Sequence, residues 1–295
     1  MLASRGGPAH DRAASLGGAA ARLRGSIGND PLNLNRLGPA EGRVNSADVP
    51  SSPSATLRAA SVRFAGVPLF DGLDFDLPGG RWTCLLGPSG VGKSSLLRLL
   101  AGLAAPTAPT ELTWTSAPRR ISLLAQQDML LPWLSVLDNA LLGPRLRAES
   151  NLEAQRKRAI DLLTRIGLGD AMAKRPAALS GGMRQRAALA RVFVEDAPVV
   201  LMDEPFSQLD AITRHDLQTL AAELFADRTV LLVTHDPLEA LRLGHRIVIM
   251  AGSPARISTV LDLAHQPPRD ISDPEIARLH AGLMHRLQLA KSDAA

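Results

Sequence analysis

One short glycine-rich segment constrains the fold of this chain more than any other feature of its sequence. Residues 87–94 read GPSGVGKS, directly after the apolar run WTCLL and directly before the leucine-rich run SLLRLLAGL. The apolar run predicts a buried strand, and the leucine spacing predicts a helix over residues 93–103. The spacing G-x-x-x-x-G-K-S/T between a strand and a helix is typical of a phosphate-binding loop, or P-loop.

Each position of this loop has a predicted part in binding a nucleoside triphosphate. The glycines let backbone N–H groups turn inward around a β-phosphate. We expect Lys93 to reach the β- and γ-phosphate oxygens and the Ser94 hydroxyl to ligate Mg²⁺. The predicted nucleotide-binding residues of the loop are Gly87, Pro88, Ser89, Gly90, Val91, Gly92, Lys93, Ser94 and Ser95.

Two carboxylates follow a second apolar run, VVLMD at residues 199–203. Asp203 and Glu204 stand where this predicted strand leaves the core. We expect Asp203 to hold the Mg²⁺ through water, and Glu204 to orient or deprotonate the attacking water. Paired carboxylates are usually solvated surface groups, so the position after a buried strand is what favours the functional interpretation.

Two further polar side chains follow predicted strands of the same sheet. TVLLV leads to His235, and RISLLA leads directly to Gln126. A histidine beside a strand is more often structural, but at the carboxyl edge of this sheet we expect His235 to point towards the γ-phosphate. At the same edge Gln126 could contact both metal and water, although the adjacent Gln127 is nearly as plausible.

The rest of the pattern predicts an α/β fold: a P-loop NTPase core with a mostly parallel sheet, an antiparallel β subdomain and an inserted α-helical subdomain. TLRAASVRF and PLFDGLDFDL alternate apolar and polar residues, as half-buried antiparallel strands do. The short continuous apolar runs suit strands that are covered on both faces. Helices are predicted at residues 93–103, 154–166, 183–195, 213–226 and 273–289.

These patterns also predict domain boundaries. We expect a disordered tail over residues 1–54, because that segment mixes Gly, Ala, Arg, Ser and Pro without periodicity. The remainder is expected to form one ATPase domain, with an ATP-binding core at 55–126 and 197–265, a helical subdomain at 127–196 and a C-terminal helix within 266–295.

Composition narrows the function classes. The formal net charge of +4 over 295 residues gives no strong case for nucleic acid as a partner. The single cysteine, Cys84, cannot form an intrachain disulfide, and we expect a buried thiol in a reducing compartment. No apolar segment approaches the roughly 18 to 20 residues that span a bilayer.

Together these segments resemble the ATP-binding subunit of an ATP-binding cassette (ABC) transporter. LSGGM at residues 179–183 matches the family signature, SQLD at 207–210 matches its D-loop, and His235 matches its switch histidine. The resemblance covers about residues 56–289. It implies ATP and Mg²⁺ as ligands and ATP hydrolysis with Glu204 as the base.

The resemblance also implies a second copy of this chain as a partner. In this family two ATP-binding subunits pair head to tail, and each ATP lies between the P-loop of one copy and the signature of the other. The residues that would contact ATP in trans are Ser180, Gly181, Gly182 and Asp210. Phe64 stands where the family usually stacks a tyrosine on adenine, and its ring face would serve that purpose. The alternative is a core role for Phe64.

The implied role is transport, with transmembrane permease subunits as partners and a solute-binding protein as an indirect one. The chain would then lie peripherally on the cytoplasmic face of the inner membrane. The segment QQDMLLPWLSVLDNALLG resembles a subgroup that imports nitrate, sulfonates, taurine or pyrimidine precursors. Leu130, Leu131 and Trp133 form either part of a permease-docking groove or packing within the helical insertion.

A soluble cassette ATPase acting on nucleic acid, ribosomes or a cytoplasmic partner is the alternative function. DNA-repair members place a long coiled coil between P-loop and signature, and translation-type members usually carry two cassettes. This chain has a compact insertion and one cassette, which favours transport. The transported solute is not predicted by this subunit's sequence, because the subunit does not contact it.

Overall fold

The computed structural model describes residues 52–292, which form nine strands and eight α-helices. The strands are β1 (Ala55–Phe64), β2 (Val67–Leu77), β3 (Trp82–Leu86), β4 (Glu111–Trp114), β5 (Ile121–Leu124), β6 (Val199–Asp203), β7 (Thr229–Val233), β8 (Arg246–Ala251) and β9 (Arg256–Asp262). The helices are α1 (Lys93–Leu100), α2 (Val136–Ala140), α3 (Leu142–Leu146), α4 (Leu152–Arg165), α5 (Gly181–Glu195), α6 (Ala211–Leu224), α7 (Pro237–Leu243) and α8 (Pro274–Ser292).

The main sheet has six strands in the order β5-β6-β7-β3-β8-β9. The pairs from β5 to β8 are parallel, and β9 is antiparallel to β8. Every residue of β3, β6 and β7 is buried, because helices or the second sheet cover both faces. The prediction of a mostly parallel sheet from continuous apolar runs is therefore confirmed.

The second sheet is antiparallel and has the order β2-β1-β4. β1 and β2 carry the alternating pattern that predicts half-buried strands, and the antiparallel β subdomain is confirmed. The pattern did not reveal β4 or β9. Most residues of both strands face solvent, so neither strand has a run of apolar side chains. Each is a strand because its backbone pairs with a neighbouring strand.

Two hydrophobic clusters cover the opposite faces of the main sheet. Alternate residues of one strand point to different clusters: Leu85 faces the cluster with α1 and the small sheet, whereas Cys84 and Leu86 face the cluster with the remaining helices. Burial raises the pKa of the Cys84 thiol.

No helix within residues 52–292 combines the length and apolar character that a membrane crossing needs.

The segment predicted as a helical subdomain contains α2, α3, α4 and α5, and no strand among its described residues. The predicted helices at 154–166, 183–195 and 213–226 correspond to α4, α5 and α6, with ends that differ by at most two residues. The helices α2, α3 and α7 were not predicted individually, because five to seven residues are too few to establish a period.

The end of the predicted tail is corrected by the structure. Most of that tail lies outside the described residues, but Ser52 is buried and its hydroxyl donates to the Asp227 carbonyl oxygen at 2.5 Å. The Thr229 hydroxyl donates to the Pro53 carbonyl oxygen at 2.7 Å. Residues 52–54 therefore belong to the folded part, through contacts that no local pattern reveals.

A buried arginine joins α7 to the segment that leads into α8. The Arg269 guanidinium donates to the carbonyl oxygens of Leu241 at 2.9 Å and Gly244 at 2.7 Å, and also to that of His265. Arg242 in turn donates to the Arg269 carbonyl oxygen at 3.0 Å. Burial lowers the pKa of Arg269 to about 10, so the side chain stays charged at neutral pH and satisfies carbonyls at the end of α7.

We predict that Arg269→Met lowers the free energy of unfolding by about 2–4 kcal/mol, because buried carbonyls lose a charged donor. Urea denaturation monitored by circular dichroism measures the change. Arg256 is exposed at the start of β9, and Arg256→Met is the control, with an expected change within about 0.5 kcal/mol. Equal effects of the two substitutions would contradict this assignment.

Candidate active site

Three buried strands of the main sheet end side by side. The parallel register pairs Leu85 of β3 with Val233 of β7, and Val233 with Asp203 of β6. The P-loop follows β3, Glu204 follows β6, and His235 follows β7 two residues after its end. Segments that are far apart in sequence are therefore brought to one edge of the sheet.

The P-loop connects β3 to α1 through glycines with special backbone requirements. A Cβ on Gly87 would collide with the carbonyl oxygen of Met250 in β8. Gly92, which precedes α1, has φ +108°, a conformation that L side chains rarely adopt. Gly90 has φ +81° and open space on its Cβ side. The loop is thus tightly bound to the sheet at its start and open near its middle.

Lys93 is the one charged residue of the loop, and it is buried with 7% exposure. Its Nζ donates to the carbonyl oxygens of Gly87 and Pro88, each at 2.8 Å. Burial lowers the pKa of Lys93, while the nearby carboxylates of Glu204 and Asp203 oppose that shift. An ammonium group has three donors, so one remains for an anion after these two bonds.

Asp203 and Ser94 form the oxygen-rich part of the site. Asp203 is buried, and the Ser94 hydroxyl donates to its carboxylate. Burial raises the pKa of Asp203; the hydrogen bond from Ser94 opposes the shift and the neighbouring Glu204 charge adds to it. Hydroxyl and carboxylate oxygens are the hard donors that Mg²⁺ prefers, so this pair fits that ion.

Glu204 and His235 face each other across the edge of the sheet. The Glu204 Oε1 lies 3.2 Å from the His235 Nδ1. The Glu204 backbone has φ +50°, which is unusual for a residue with a side chain, and its N–H donates to the Val233 carbonyl oxygen at 2.9 Å. Glu204 is mostly buried, whereas His235 is 62% exposed. A carboxylate and an imidazole are thereby held at a position open to solvent.

The loop of His235 is fixed at both of its ends. The Thr234 N–H donates to the Leu85 carbonyl oxygen at 3.2 Å, and the Asp236 N–H donates to the Thr234 hydroxyl at 3.0 Å. The Asp236 carboxylate then accepts from the backbone of Leu238 at 2.9 Å and caps α7. The end of β7 and the start of α7 together determine where the histidine lies.

A small open cleft adjoins this pair, with Arg214, Asp236 and Glu239 among its lining residues. Glu239 is buried, accepts a hydrogen bond from the Gln218 amide at 3.0 Å, and also accepts one from the Thr234 hydroxyl. Burial raises the pKa of Glu239 to about 7, although both hydrogen bonds oppose that shift.

Three expected contributors lie at the margin of this arrangement. Gln126 follows the end of β5, a neighbouring strand of the same edge, and its side chain is exposed. Gln127 is exposed as well, so the choice between the two glutamines stays open. Phe64 ends β1 in the small sheet and is 73% exposed, so its ring is accessible and the alternative of a core role is wrong.

The predicted trans residues lie at two helix starts, where Ser180 and Asp210 are exposed and Gly181 and Gly182 are half-buried. The Ser180 Oγ accepts from the Met183 N–H at 3.3 Å and caps α5. Asp210 Oδ1 accepts from the Thr213 N–H at 2.9 Å and caps α6, and this bond lowers the pKa of Asp210. Within residues 52–292 no hydrogen bond joins Ser180, Gly181, Gly182 or Asp210 to the P-loop of the same chain.

Sequence reasoning missed several residues that support the site. Asp236 followed by Pro237 is a helix-start signal that could have predicted α7. The Arg214 guanidinium of α6 lies 3.9 Å from the Asp236 carboxylate that caps α7, and Gln185 donates to the Pro205 carbonyl oxygen at 2.6 Å. Both of these contacts join elements through side chains, and no sequence pattern marks such partners.

Strand order, P-loop and carboxylate position define a P-loop ATPase. The ABC transporter family profile matches residues 70–207. An uncharacterized ABC transporter ATP-binding protein of Haemophilus influenzae is 42% identical over 231 residues, which cover 77% of this chain and 95% of that protein. The aliphatic sulfonates import ATP-binding protein of Streptomyces avermitilis is 40% identical over 246 residues, covering 82% of this chain and 94% of that protein.

A solved structure with the same fold is a dimeric, post-hydrolysis ATP-binding cassette bound to ADP and phosphate. It is 27% identical, has a TM-score of 0.63, and the match covers 71% of this chain and 98% of that one. The chain therefore belongs to the ABC transporter family, as an ATP-binding and ATP-hydrolysing subunit.

We predict that Glu239 makes the protein less stable as the pH rises. The ordinary pKa of 4.5 applies to the unfolded chain and about 7 to the folded one, so the folded state holds an extra proton between these values. Stability from this group is fully present below about pH 4.5 and is lost as the pH rises through about 7. In Glu239→Gln this component disappears.

Thermal unfolding at several pH values between about 5 and 8 tests this. We expect the wild-type Tm to fall relative to that of Glu239→Gln as the pH increases. Glu223→Gln is the control, because Glu223 is an exposed glutamate paired with Arg165. Parallel Tm profiles for the wild type and Glu239→Gln would show that Glu239 is ionised at the same pH in both states.

Proposed function

We propose that this chain energises a bacterial importer for a small solute of the sulfonate type. The observation that carries the proposal is the Glu204–His235 pair at the sheet edge, next to the P-loop lysine and the Ser94–Asp203 pair. Several relatives of about 40% identity are named as aliphatic sulfonates import ATP-binding proteins, which favours that solute class. The soluble ATPase alternative has no comparable support.

The phosphates of ATP would bind along the open side of the P-loop. Lys93 has a free donor there, and the backbone of residues 87–95 supplies N–H groups at the start of α1. Phe64 offers an exposed ring for adenine. Mg²⁺ would be held by Ser94, Asp203 and Gln126, and when bound it would neutralise charge on the phosphate oxygens.

Hydrolysis would use Glu204 as the general base. Its carboxylate takes a proton from water as the water oxygen bonds to the γ-phosphorus, and the bond from that phosphorus to the bridging oxygen breaks to give ADP and phosphate. His235, 3.2 Å from Glu204 and largely exposed, orients the base and contacts the γ-phosphate. The P-loop that would bind ATP thus follows β3, whereas Glu204, which would remove the proton, follows β6 of the same sheet.

A second copy of the chain would complete each site. Ser180, Gly181, Gly182 and Asp210 lie at exposed helix starts, where N–H groups and the helix dipole favour an anion. ATP would close the dimer, because charge-assisted hydrogen bonds from both copies meet only around a γ-phosphate. Its cleavage would remove that bridge and let the dimer open.

The permease would dock on the loop that follows Gln127. Leu130 is buried in the core, whereas Met129 and Trp133 are 61% and 64% exposed. Asn139 is fully buried and fixes this loop by accepting from the Leu131 N–H at 2.8 Å. A rigid loop with exposed apolar side chains suits a permanent partner. The chain would then lie peripherally on the cytoplasmic face of the membrane, with a solute-binding protein on the other side.

Replacing the base tests the catalytic assignment. We predict that Glu204→Gln lowers kcat for ATP by about 10²-fold or more, because the amide cannot take the proton. The variant retains ATP, so size-exclusion chromatography with ATP shows a stable dimer. Glu153→Gln on the exposed face of α4 is the control, with wild-type kcat. A Glu204→Gln protein that stays monomeric and hydrolyses ATP normally would overturn the proposal.

Replacing Trp133 tests the docking surface. We predict that Trp133→Ala loses its multi-span permease on co-purification from native membranes in mild detergent, while ATP hydrolysis by the isolated subunit is unchanged. Leu103→Ala is the control, since Leu103 is similarly exposed at 66% on a different part of the surface. Recovery of the permease with both variants would remove Trp133 from the interface.

The same purification tests the solute class. Membrane vesicles that contain the recovered permease and its solute-binding protein are expected to accumulate a radiolabelled alkanesulfonate when ATP is supplied. Nitrate and a pyrimidine are the comparison solutes. ATP-dependent uptake of a comparison solute alone would retain the importer and correct its substrate, whereas recovery with ribosomes or RNA in place of a permease would overturn transport.

A further inference from the structure

The Gln185 side chain links the signature helix to the backbone of the predicted base. Gln185 lies in the second turn of α5 and is 5% exposed. Its amide nitrogen donates to the carbonyl oxygen of Pro205 at 2.6 Å and to that of Glu204 at 3.2 Å. A side-chain amide has two N–H donors, so both bonds can form together. The amide therefore holds two consecutive peptide groups directly after β6.

The backbone that Gln185 holds is in a conformation that needs support. Glu204 has φ +50°, a left-handed conformation that is disfavoured for a residue with a side chain. Glu204 also precedes Pro205, whose ring restricts the preceding residue further. Such a conformation persists only when the surrounding structure fixes it, and the orientation of the Glu204 carboxylate depends on it.

Only part of this support is local. The Ser207 hydroxyl donates to the Glu204 carbonyl oxygen at 3.1 Å, and the Glu204 N–H bonds to Val233 at 2.9 Å. These contacts come from the turn itself and from the neighbouring strand. Gln185 supplies the bonds from a different layer of the molecule, because α5 (Gly181–Glu195) is a helix that packs against the sheet.

We propose that Gln185 is a positioning residue that holds the base Glu204 in its productive orientation and couples it to the signature at the start of α5. This inference rests on the proposed ATP-sandwich dimer. In that dimer, α5 of one chain contacts one ATP while Glu204 of the same chain acts on the other. Gln185 is then the direct side-chain contact through which occupancy of one site is transmitted to the base of the other.

The start of α5 is placed to respond to such occupancy. An added Cβ on Gly181 would lie 3.4 Å from the Gln208 side chain, and one on Gly182 would lie 3.5 Å from the Gln208 carbonyl oxygen. The signature thus lies close to the turn that continues from Glu204 to Asp210. A small displacement of α5 towards an anion changes the position of Gln185, and with it the support of Glu204.

Replacing the amide with an apolar group of similar length tests the inference. Gln185→Met keeps the length of the side chain and removes both donors. We expect kcat for ATP to fall by about 10- to 100-fold, because the base is misplaced. The KM for ATP is expected to change by less than about twofold, because the P-loop is intact. The Hill coefficient for ATP is expected to fall towards 1, because the two sites become independent.

A second polar side chain of α5 provides a matched control. Arg191 lies on the same helix and donates to the carbonyl oxygens of Met129 and Asp128, each at 3.0 Å, and to neither Glu204 nor the signature. Arg191→Met also removes side-chain donors from backbone carbonyls of another segment, and it is expected to keep the wild-type kcat and Hill coefficient. The concentration of folded protein in each sample is set by stoichiometric binding of a fluorescent ATP analogue.

A double substitution separates a positioning role from a general loss of structure. If Gln185 acts through Glu204, adding Gln185→Met to Glu204→Gln lowers the residual rate by less than about twofold. Multiplicative losses in the double variant would overturn the inference, as would a wild-type kcat in Gln185→Met. An inactive wild type would instead defeat the proposed function itself, so the two failures are distinguishable.

Discussion

Leu85, Val233 and Asp203 lie next to one another through the parallel pairing of β3, β7 and β6, and the candidate site depends on this contact. All three strands are buried along their whole length, so their register is fixed by packing on both faces. The loops that follow them must then start at one edge. A shift of one residue in β6 would exchange the faces of Asp203 and its neighbours and separate the carboxylates from the P-loop.

At that edge of the sheet, burial disfavours the charged forms of Lys93 and Asp203, and the opposite charge of the neighbouring group favours them. Burial lowers the pKa of Lys93 and raises that of Asp203. The charge of each group opposes the pKa shift of the other. Removing either one would leave the other buried with less compensating charge, which is costly in a protein interior. Glu204 adds a further negative charge close to both groups. The site is therefore suited to bind a cation together with an anion, which is the chemistry of a metal–nucleotide complex.

The signature and the proposed base are connected through one side chain, Gln185, although they serve different nucleotides in the proposed dimer. Ser180 caps α5, Gln185 of the same helix bonds to the Glu204 and Pro205 carbonyls, and Asp210 caps α6 soon after that turn. A short stretch of backbone thus connects the exposed helix starts with the strained residue of the active site. Concerted action of two sites needs a connection of this kind, because each chain contributes to both of them.

Local sequence determined the features that depend on residues close together along the chain. These are the P-loop between β3 and α1, the buried strands, the longer helices and the carboxylates after β6. Continuous apolar runs and a fixed glycine and lysine spacing are properties of the chain itself, so they are visible without the fold. Only the tertiary structure decided that Glu204 adopts φ +50° and that the Gln185 amide donates to the Glu204 carbonyl oxygen. The same is true of the hydrogen bond from the Ser52 hydroxyl to the Asp227 carbonyl oxygen. Those features depend on side chains meeting backbone groups of distant segments, and such meetings leave no period or motif in the sequence.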